Sequence, residues 1–202
     1  METESPSSAF MKPLISNRPK DPPPETQALI EQIREKARNL YLTREMLCTE
    51  AVVTALNKGL DGGLTDDQAI AISAPHCIGL GESGCLCGAL SGAVIAAGLF
   101  LGQKHPYRHR KEMRDSARQL HDAFKASNGS TCCRVLTKKV KHDPKTHFQH
   151  CAELTAEAAE LATRLILEKR PELMDRADRG FIGQRQSRLR GGLMRMIRYV
   201  FR

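Results

Sequence analysis

The stretch from Gly88 to Leu101 contains no charged side chain, and it directly follows Cys87. It is shorter than the roughly 20 residues that a membrane-spanning helix needs, and it is apolar on every side. These properties predict a helix at the centre of a helical bundle. Because the first turn of a helix offers unsatisfied N–H groups and the positive end of the dipole, it favours thiolate over thiol. We therefore expect Cys87 to be an activated thiol at the start of a buried helix.

The rest of the chain predicts an all-α fold, a bundle of about five to six helices. Aromatic residues make up 4% of the sequence and Trp is absent, which suits a core of aliphatic residues between closely packed helices. No segment alternates with a period of two. Thr43 is a candidate cap for a helix over residues 44–57, and Gly88 and Gly92 allow a neighbouring helix to approach closely. The other predicted helices cover residues 25–40, 65–73, 107–126, 130–136 and 145–168.

Composition divides the chain into three parts. Residues 1–24 are rich in proline and predict a disordered arm, residues 25–170 a helical four-cysteine domain, and residues 171–202 a basic amphipathic tail. Residues 176–202 hold eight arginines and one acidic residue, so they carry +7 of the net charge of +8. The remainder is nearly neutral, and nucleic-acid binding is not expected. The tail suits an anionic membrane surface or an acidic partner, with a solvated or docked terminal helix as the alternative.

The chain has seven cysteines, and its first residues contain no apolar segment of the kind found in signal peptides. We therefore expect a cytoplasmic protein, with the tail allowing a peripheral position at the inner face of the membrane. Disulfides that act only as structural links are uncommon in that compartment. The cysteines then indicate metal binding, redox chemistry or simple burial.

Four of the cysteines are distinguished by their positions. Cys48 and Cys151 lie on apolar faces of predicted helices, whereas Cys87 and Cys133 lie at predicted helix starts. Their separations are too long for a zinc finger, but side chains from four helices can converge in the core of a bundle. The alternative is that they are inert, because unreactive cysteine behaves as a small buried hydrophobe.

The order of these cysteines resembles the C-GCAxxG-C-C family of redox-active proteins. The CGAxxG motif is Cys87-Gly88-Ala89-Leu90-Ser91-Gly92, and Cys48, Cys133 and Cys151 match the other three cysteines. The resemblance covers about residues 40–167. It implies a helical redox domain, an electron-transfer protein or oxidoreductase component with a redox partner protein. It also implies that the four cysteines bind an iron–sulfur cluster or form redox-active pairs.

Several alternatives remain open at this stage. In a dithiol mechanism Cys87 is the first candidate for the attacking thiolate and Cys133 the second. The four thiols also suit a structural zinc ion. A different class of function is a non-catalytic helical adaptor or membrane-peripheral interaction protein whose cysteines are inert or bind zinc. The additional cysteines are Cys77, Cys85 and Cys132, of which Cys85 or Cys132 could replace a ligand.

Two other cofactors are not expected. The sequence contains no Cys-x-x-Cys-His motif, so we expect no covalent haem. Gly79, Gly81 and Gly84 match a dinucleotide fingerprint in spacing only, because no strand is predicted before them, and NAD is not expected. We interpret this segment as a loop that covers the cysteine site. The histidines at 142, 147 and 150 are interpreted as solvated loop residues.

Overall fold

A computed structural model describes residues 22–102, 105 and 107–187 of the chain. This part is helical and contains no β-strand, which confirms the all-α prediction. The α-helices are α1 (Pro24–Leu42), α2 (Cys48–Gly59), α3 (Asp66–Ser73), α4 (Cys77–Leu80), α5 (Gly88–Leu101), α6 (Arg110–Asn128), α7 (Cys133–Leu136), α8 (Pro144–Lys169) and α9 (Arg179–Gly183). Two 3₁₀ turns cover Ala74–His76 and Pro171–Arg176.

Helix α5 lies at the centre of the bundle, as its charge-free sequence predicts. It packs against α2 on one side and α8 on another, while α1 runs along α8. The approach of α2 depends on Gly92, where an added Cβ would lie 2.9 Å from the Cβ of Val52 and 3.0 Å from the carbonyl oxygen of Thr49. This glycine therefore serves helix packing, and the core sits around the α2–α5–α8 contact.

Local sequence signals account for several helix ends. The Thr65 hydroxyl accepts from the backbone N–H of Gln68, and the Gln68 side chain accepts from the N–H of Thr65. This reciprocal pair starts α3, because it satisfies two N–H groups that the helix leaves unpaired. Gly129 ends α6 with φ at +72°, a left-handed conformation that glycine adopts without steric cost.

The start of α2 differs from the predicted one. The Thr43 hydroxyl donates to the carbonyl oxygen of Leu40, so it completes the end of α1 and does not cap α2. Arg44 has φ at +59°, which interrupts the helical path. Helix α2 begins four residues later at Cys48, and the backbone N–H of Leu47 is satisfied by Oε2 of Glu50 at 2.8 Å. Cys48 consequently occupies the first turn of α2.

The residues after α8 return to the body of the protein. Leu173 and Ile182 are buried in the core. The backbone N–H of Asp178 donates to the Gly59 carbonyl, and Nζ of Lys36 donates to the carbonyl of Gln184. The predicted proline-rich arm, up to residue 21, and the arginine-rich end at 188–202 lie outside the described residues. Within the described part, no helix combines the length and apolar character needed to cross a bilayer.

Candidate functional site

A cavity of about 470 Å³ opens beside the starts of four helical segments, and all four family-type cysteines line it. Cys48 is the first residue of α2, Cys87 precedes α5, Cys133 is the first residue of α7, and Cys151 lies on α8. The structure thus brings together residues that are spread over more than half of the sequence. The other lining residues are Tyr41, Arg44, Glu45, Met46, Leu47, Glu50, Ile78, Gly88, Ala89, Thr137, Pro144, His147, Phe148 and Leu154.

The first glycine of the CGAxxG motif makes room for Cys48. A Cβ added to Gly88 would lie 2.5 Å from Sγ of Cys48 and 2.8 Å from Oγ1 of Thr49. The Thr49 hydroxyl donates to the Gly88 carbonyl oxygen at 2.9 Å, which fixes the distance between α2 and α5 at this point. Any larger residue at position 88 would push the Cys48 sulfur away from its place at the cavity.

Cys48 is the cavity cysteine whose environment favours the thiolate. The Cys77 thiol donates to the Cys48 sulfur and lowers the pKa of Cys48, and the backbone N–H groups of Ile78 and Thr49 act in the same direction. Burial opposes them but does not prevail. The same contact raises the pKa of Cys77, which is only 4% exposed. The Sγ atom of Cys77 also lies 3.8 Å from the carbonyl oxygen of Ser73, which is a second acceptor for its thiol.

Cys87 departs from the sequence-based expectation of a low pKa. The backbone N–H groups of Ala89 and Leu90 do lower it, as a helix start should. Burial has the larger effect, however, and raises the pKa of Cys87 to about 11. The thiol is only 5% exposed, so the cost of desolvating a charge exceeds the benefit of the first helical turn. The metal-free Cys87 is therefore a neutral thiol at physiological pH.

Cys151 and Cys133 are also neutral thiols in the metal-free chain. Burial raises the pKa of Cys151 to about 11, even though the hydroxyl of Tyr41 donates to its sulfur and lowers it. Burial likewise raises the pKa of Cys133. Tyr41 is held in place by stacking on Phe148, with the ring centres 4.9 Å apart. One wall of the cavity is therefore a rigid aromatic pair that presents a hydroxyl to Cys151.

The glycine-rich segment after Cys77 packs against Cys133. Five consecutive residues, 78–82, have φ between +55° and +69°, so α4 is a left-handed turn over most of its length. A Cβ added to Gly79 would lie 2.8 Å from the Cβ of Cys133. The segment follows the 3₁₀ turn Ala74–His76, so it lacks the preceding strand that a dinucleotide fingerprint requires. It contributes Ile78 to the cavity lining.

Cys85 and Cys132 form a disulfide in this structure, with their Cα atoms 4.4 Å apart. Neither residue lines the cavity, and Cys85 is exposed at the surface. While they are bonded to each other, neither sulfur is available to replace a member of the four-cysteine set. The free cysteines are Cys48, Cys77, Cys87, Cys133 and Cys151.

Sequence reasoning did not find three residues of this site. Cys77 and Tyr41 contact cavity sulfurs from elements that only the tertiary fold brings close. His147 lines the cavity, whereas the sequence placed it in a solvated loop. The spacing in the sequence could have indicated this position of His147. It lies four residues before Cys151, and residues four apart lie on the same face of a helix.

The cysteine side chains are the part of the cavity that could bind a metal. Within the described residues, no three His, Cys, Asp or Glu side chains are arranged to hold a single metal ion. Cysteine thiolates are ligands of both zinc ions and iron–sulfur clusters. The chemistry of the four cavity cysteines therefore fits either kind of metal centre.

Comparison with known proteins identifies the family. Residues 46–165 match the family described as "Putative redox-active protein (C_GCAxxG_C_C)". The match covers more than half of the chain and includes all four cysteines of the cavity. The protein therefore belongs to this redox-active family, which confirms the resemblance read from its cysteines. No curated protein and no solved structure matches the chain.

Proposed function

We propose that the protein is an electron-transfer protein whose cavity holds an iron–sulfur cluster on Cys48, Cys87, Cys133 and Cys151. The observation that carries the proposal is that these four thiols, supplied by four separate helical segments, line one cavity of about 470 Å³. Four cysteine ligands are the usual set for clusters of two or four irons, and a cluster supplies one-electron transfer when bound. Membership of a redox-active family supports the same class of function.

Two helix starts at the cavity favour a negatively charged cofactor. Cys48 and Cys87 stand at the starts of α2 and α5, where free N–H groups and the helix dipole stabilise anions. The raised pKa values of Cys87 and Cys151 do not oppose ligation, because metal binding releases the thiol protons. Tyr41 donates to the Cys151 sulfur and restrains its orientation. Such hydrogen bonds and burial tune the potential of a cluster.

Anaerobic purification tests the proposal directly. We expect brown protein with visible absorption, bound iron and acid-labile sulfide, and electron paramagnetic resonance signals that change on reduction. Cys87→Ser and Cys151→Ser should each reduce the iron content strongly, because each removes one of four ligands. Ser127→Ala is the control: its side chain is exposed and lies outside the cavity, so this variant should keep its iron.

A colourless, iron-free protein after anaerobic purification and after reconstitution with iron and sulfide would contradict the cluster. Equal iron in Cys87→Ser and in the unmodified chain would contradict the assignment of the ligands. Bound zinc without any redox response would instead support a structural metal site, and unchanged metal content and activity in all cysteine variants would support the adaptor alternative.

A second candidate, dithiol–disulfide cycling, is favoured by the contact between Cys48 and Cys77. Exchange requires one thiolate and a second thiol within reach, and Cys48 is the thiol with the lowered pKa. Oxidation would join the two sulfurs and release two electrons and two protons to a disulfide-containing partner. Mass spectrometry of the oxidised protein separates the two candidates. Iron-free protein in which a Cys48–Cys77 disulfide forms and is reduced reversibly would support cycling.

The partner and the location remain proposals of the same kind. An electron-transfer function needs a redox partner protein, and the open side of the cavity offers it access through Leu47, which is 43% exposed. Binding of the arginine-rich tail to an anionic membrane or an acidic partner stays a prediction from the sequence, because residues 188–202 lie outside the described part. Vesicle binding with and without those residues measures it.

A further inference from the structure

The Cys85–Cys132 disulfide lies outside the cysteine cavity, in a part of the surface that solvent reaches. Cys85 is exposed and Cys132 is half-buried, whereas Cys87 is buried two residues further along the chain. A thiol from another molecule can therefore approach this bond without entering the cavity. Accessible disulfides of this kind are the ones that exchange with external thiols, because exchange requires direct attack on a sulfur atom.

The disulfide joins two segments that each carry a cavity cysteine. Cys87 follows Cys85 by two residues, and Cys133 follows Cys132 directly. Beside the disulfide, the backbone N–H of Cys87 donates to the Thr131 carbonyl at 2.8 Å. These links hold the start of α5 against the start of α7, so they also set the positions of Cys87 and Cys133 at the cavity.

A second group of contacts fastens the glycine-rich turn to the same place. The backbone N–H of Arg134 donates to the Gly84 carbonyl at 2.9 Å, and its guanidinium donates to the Ser83 carbonyl at 2.6 Å. The turn holds Ile78, Leu80 and Glu82 in the left-handed region, which side chains disfavour. Such a conformation persists only where surrounding contacts impose it.

We propose that the Cys85–Cys132 disulfide is a second redox site that a dithiol protein reduces. Its reduction loosens the junction at which the start of α5 and the glycine-rich turn are held against α7. One thiolate of the dithiol attacks Sγ of Cys85, which forms a mixed disulfide and releases Cys132 as a thiolate that takes up a proton. The second thiolate of the dithiol protein then attacks the first sulfur of the same protein, which is bonded to Cys85 in the mixed disulfide. Cys85 leaves as a thiolate and is protonated. The chain gains two electrons and two protons, and the dithiol becomes a disulfide.

The surface around the bond suits a protein as the reductant. Ile78 and Leu80 on the glycine-rich turn are 46% and 49% exposed, and Val135 on α7 is 57% exposed. Helices α4 and α7 are in contact, and apolar side chains exposed on neighbouring elements are typical of surfaces that bind another protein. A dithiol protein would bury them while its thiolate reaches Cys85. The effect on a bound cluster rests on the proposed function, whereas the exchange reaction and the loosening do not.

Native-state reduction with thioredoxin as the dithiol probe tests the inference on the full chain. We expect thioredoxin to open the bond without denaturant, detected as two newly alkylated cysteines at 85 and 132. Hydrogen exchange should then become at least about tenfold faster at the amides of Cys87 and Arg134, because their bonds cross the opened junction. In the double variant Cys85→Ser with Cys132→Ser, hydrogen exchange at these two amides should be as fast without reductant as it is in the reduced unmodified chain.

Thr131→Ser is the matched control, because Thr131 contributes its carbonyl oxygen to the junction and keeps the disulfide. In this variant, hydrogen exchange at the amides of Cys87 and Arg134 should stay slow until thioredoxin is added. A bond that thioredoxin opens only in denaturant, or unchanged exchange at both amides after reduction, would overturn the inference. If the double variant does not fold, hydrogen exchange in the unmodified chain after reduction by thioredoxin still tests the inference. Neither readout depends on iron, so a chain without a cluster would contradict the proposed function and still test this inference.

Discussion

Two cavity cysteines, Cys87 and Cys133, lie two residues after Cys85 and one residue after Cys132, yet the chemistry of the neighbours differs. Cys87 is a buried thiol whose pKa is raised to about 11, whereas Cys85 is exposed and bonded to Cys132. Burial shields Cys87 from external reagents, whereas Cys85 is accessible to them. Local environment, and not the residue type, therefore sets the chemistry of each cysteine.

The largest effect should come from the disulfide. Cys132→Ser opens a loop with a sequence separation of 47 residues, and the chain-entropy model gives a loss of about 4 kcal/mol in the free energy of unfolding. Chemical denaturation of oxidised samples, with and without the variant, measures the loss. Fully reduced samples of the two chains should have equal stability, and a difference between them would show that the serine itself causes the effect.

Gly88→Ala should have the next largest effect, and it acts on the cavity. The new Cβ would meet Sγ of Cys48 at 2.5 Å and the carbonyl oxygen of His76 at 2.9 Å, so α2 and α5 must separate. Overpacking of this kind costs about 3 kcal/mol. Gly98→Ala is the matched control on the same helix, because its Cβ would meet no atom within 4 Å. A similar loss in both variants would show that crowding at Cys48 is not the cause.

The third effect is a pH dependence of stability that arises from the buried thiol of Cys87. Below pH 9 the thiol of Cys87 is neutral in both the folded and the unfolded chain, and its contribution to stability is complete. As the pH rises from 9.0 towards about 11, the unfolded chain loses the proton first. Metal-free protein should therefore lose roughly 2–3 kcal/mol of stability from Cys87 over this range.

Comparison with Cys87→Ser isolates this contribution, because serine does not titrate there. The difference in stability between the two chains should shrink as the pH rises from 9 to 11. The disulfide-bonded cysteines have no thiol proton to lose, so oxidised Cys85 and Cys132 contribute nothing to the slope. A constant difference across the range would contradict the burial of Cys87 as the cause.

The smallest effect should come from Tyr41→Phe. This variant removes the hydroxyl that donates to the Cys151 sulfur, and a lost hydrogen bond of this kind costs about 1 kcal/mol. The pKa of Cys151 should rise further, because the donor that stabilises its thiolate is gone. Alkylation of Cys151 as a function of pH measures the shift. Alkylation of Cys48, which has other donors, should keep its pH profile.

The parts of this molecule that follow local rules could be predicted from sequence. Helix α5 was predictable because a charge-free stretch of its length has no other stable place in a helical fold, and α3 because Thr65 and Gln68 form a cap within four residues. The pKa of Cys87 was not, because the helix start acts locally whereas burial depends on every element packed around the thiol. The disulfide and the contact of Cys77 with Cys48 also required the tertiary fold, since nothing in spacing alone selects those partners.

The spread of the cavity cysteines along the chain has a consequence for the order of folding. Cys48 and Cys151 come from opposite ends of the family domain, so the cavity is complete only after α8 has docked on α2 and α5. Contacts between residues so distant in sequence form late, because closing a long loop is slow. A nascent chain consequently has no finished cavity, so the proposed cluster would bind only after the domain has folded. A cofactor that binds only the folded form would then stabilise the folded domain by mass action.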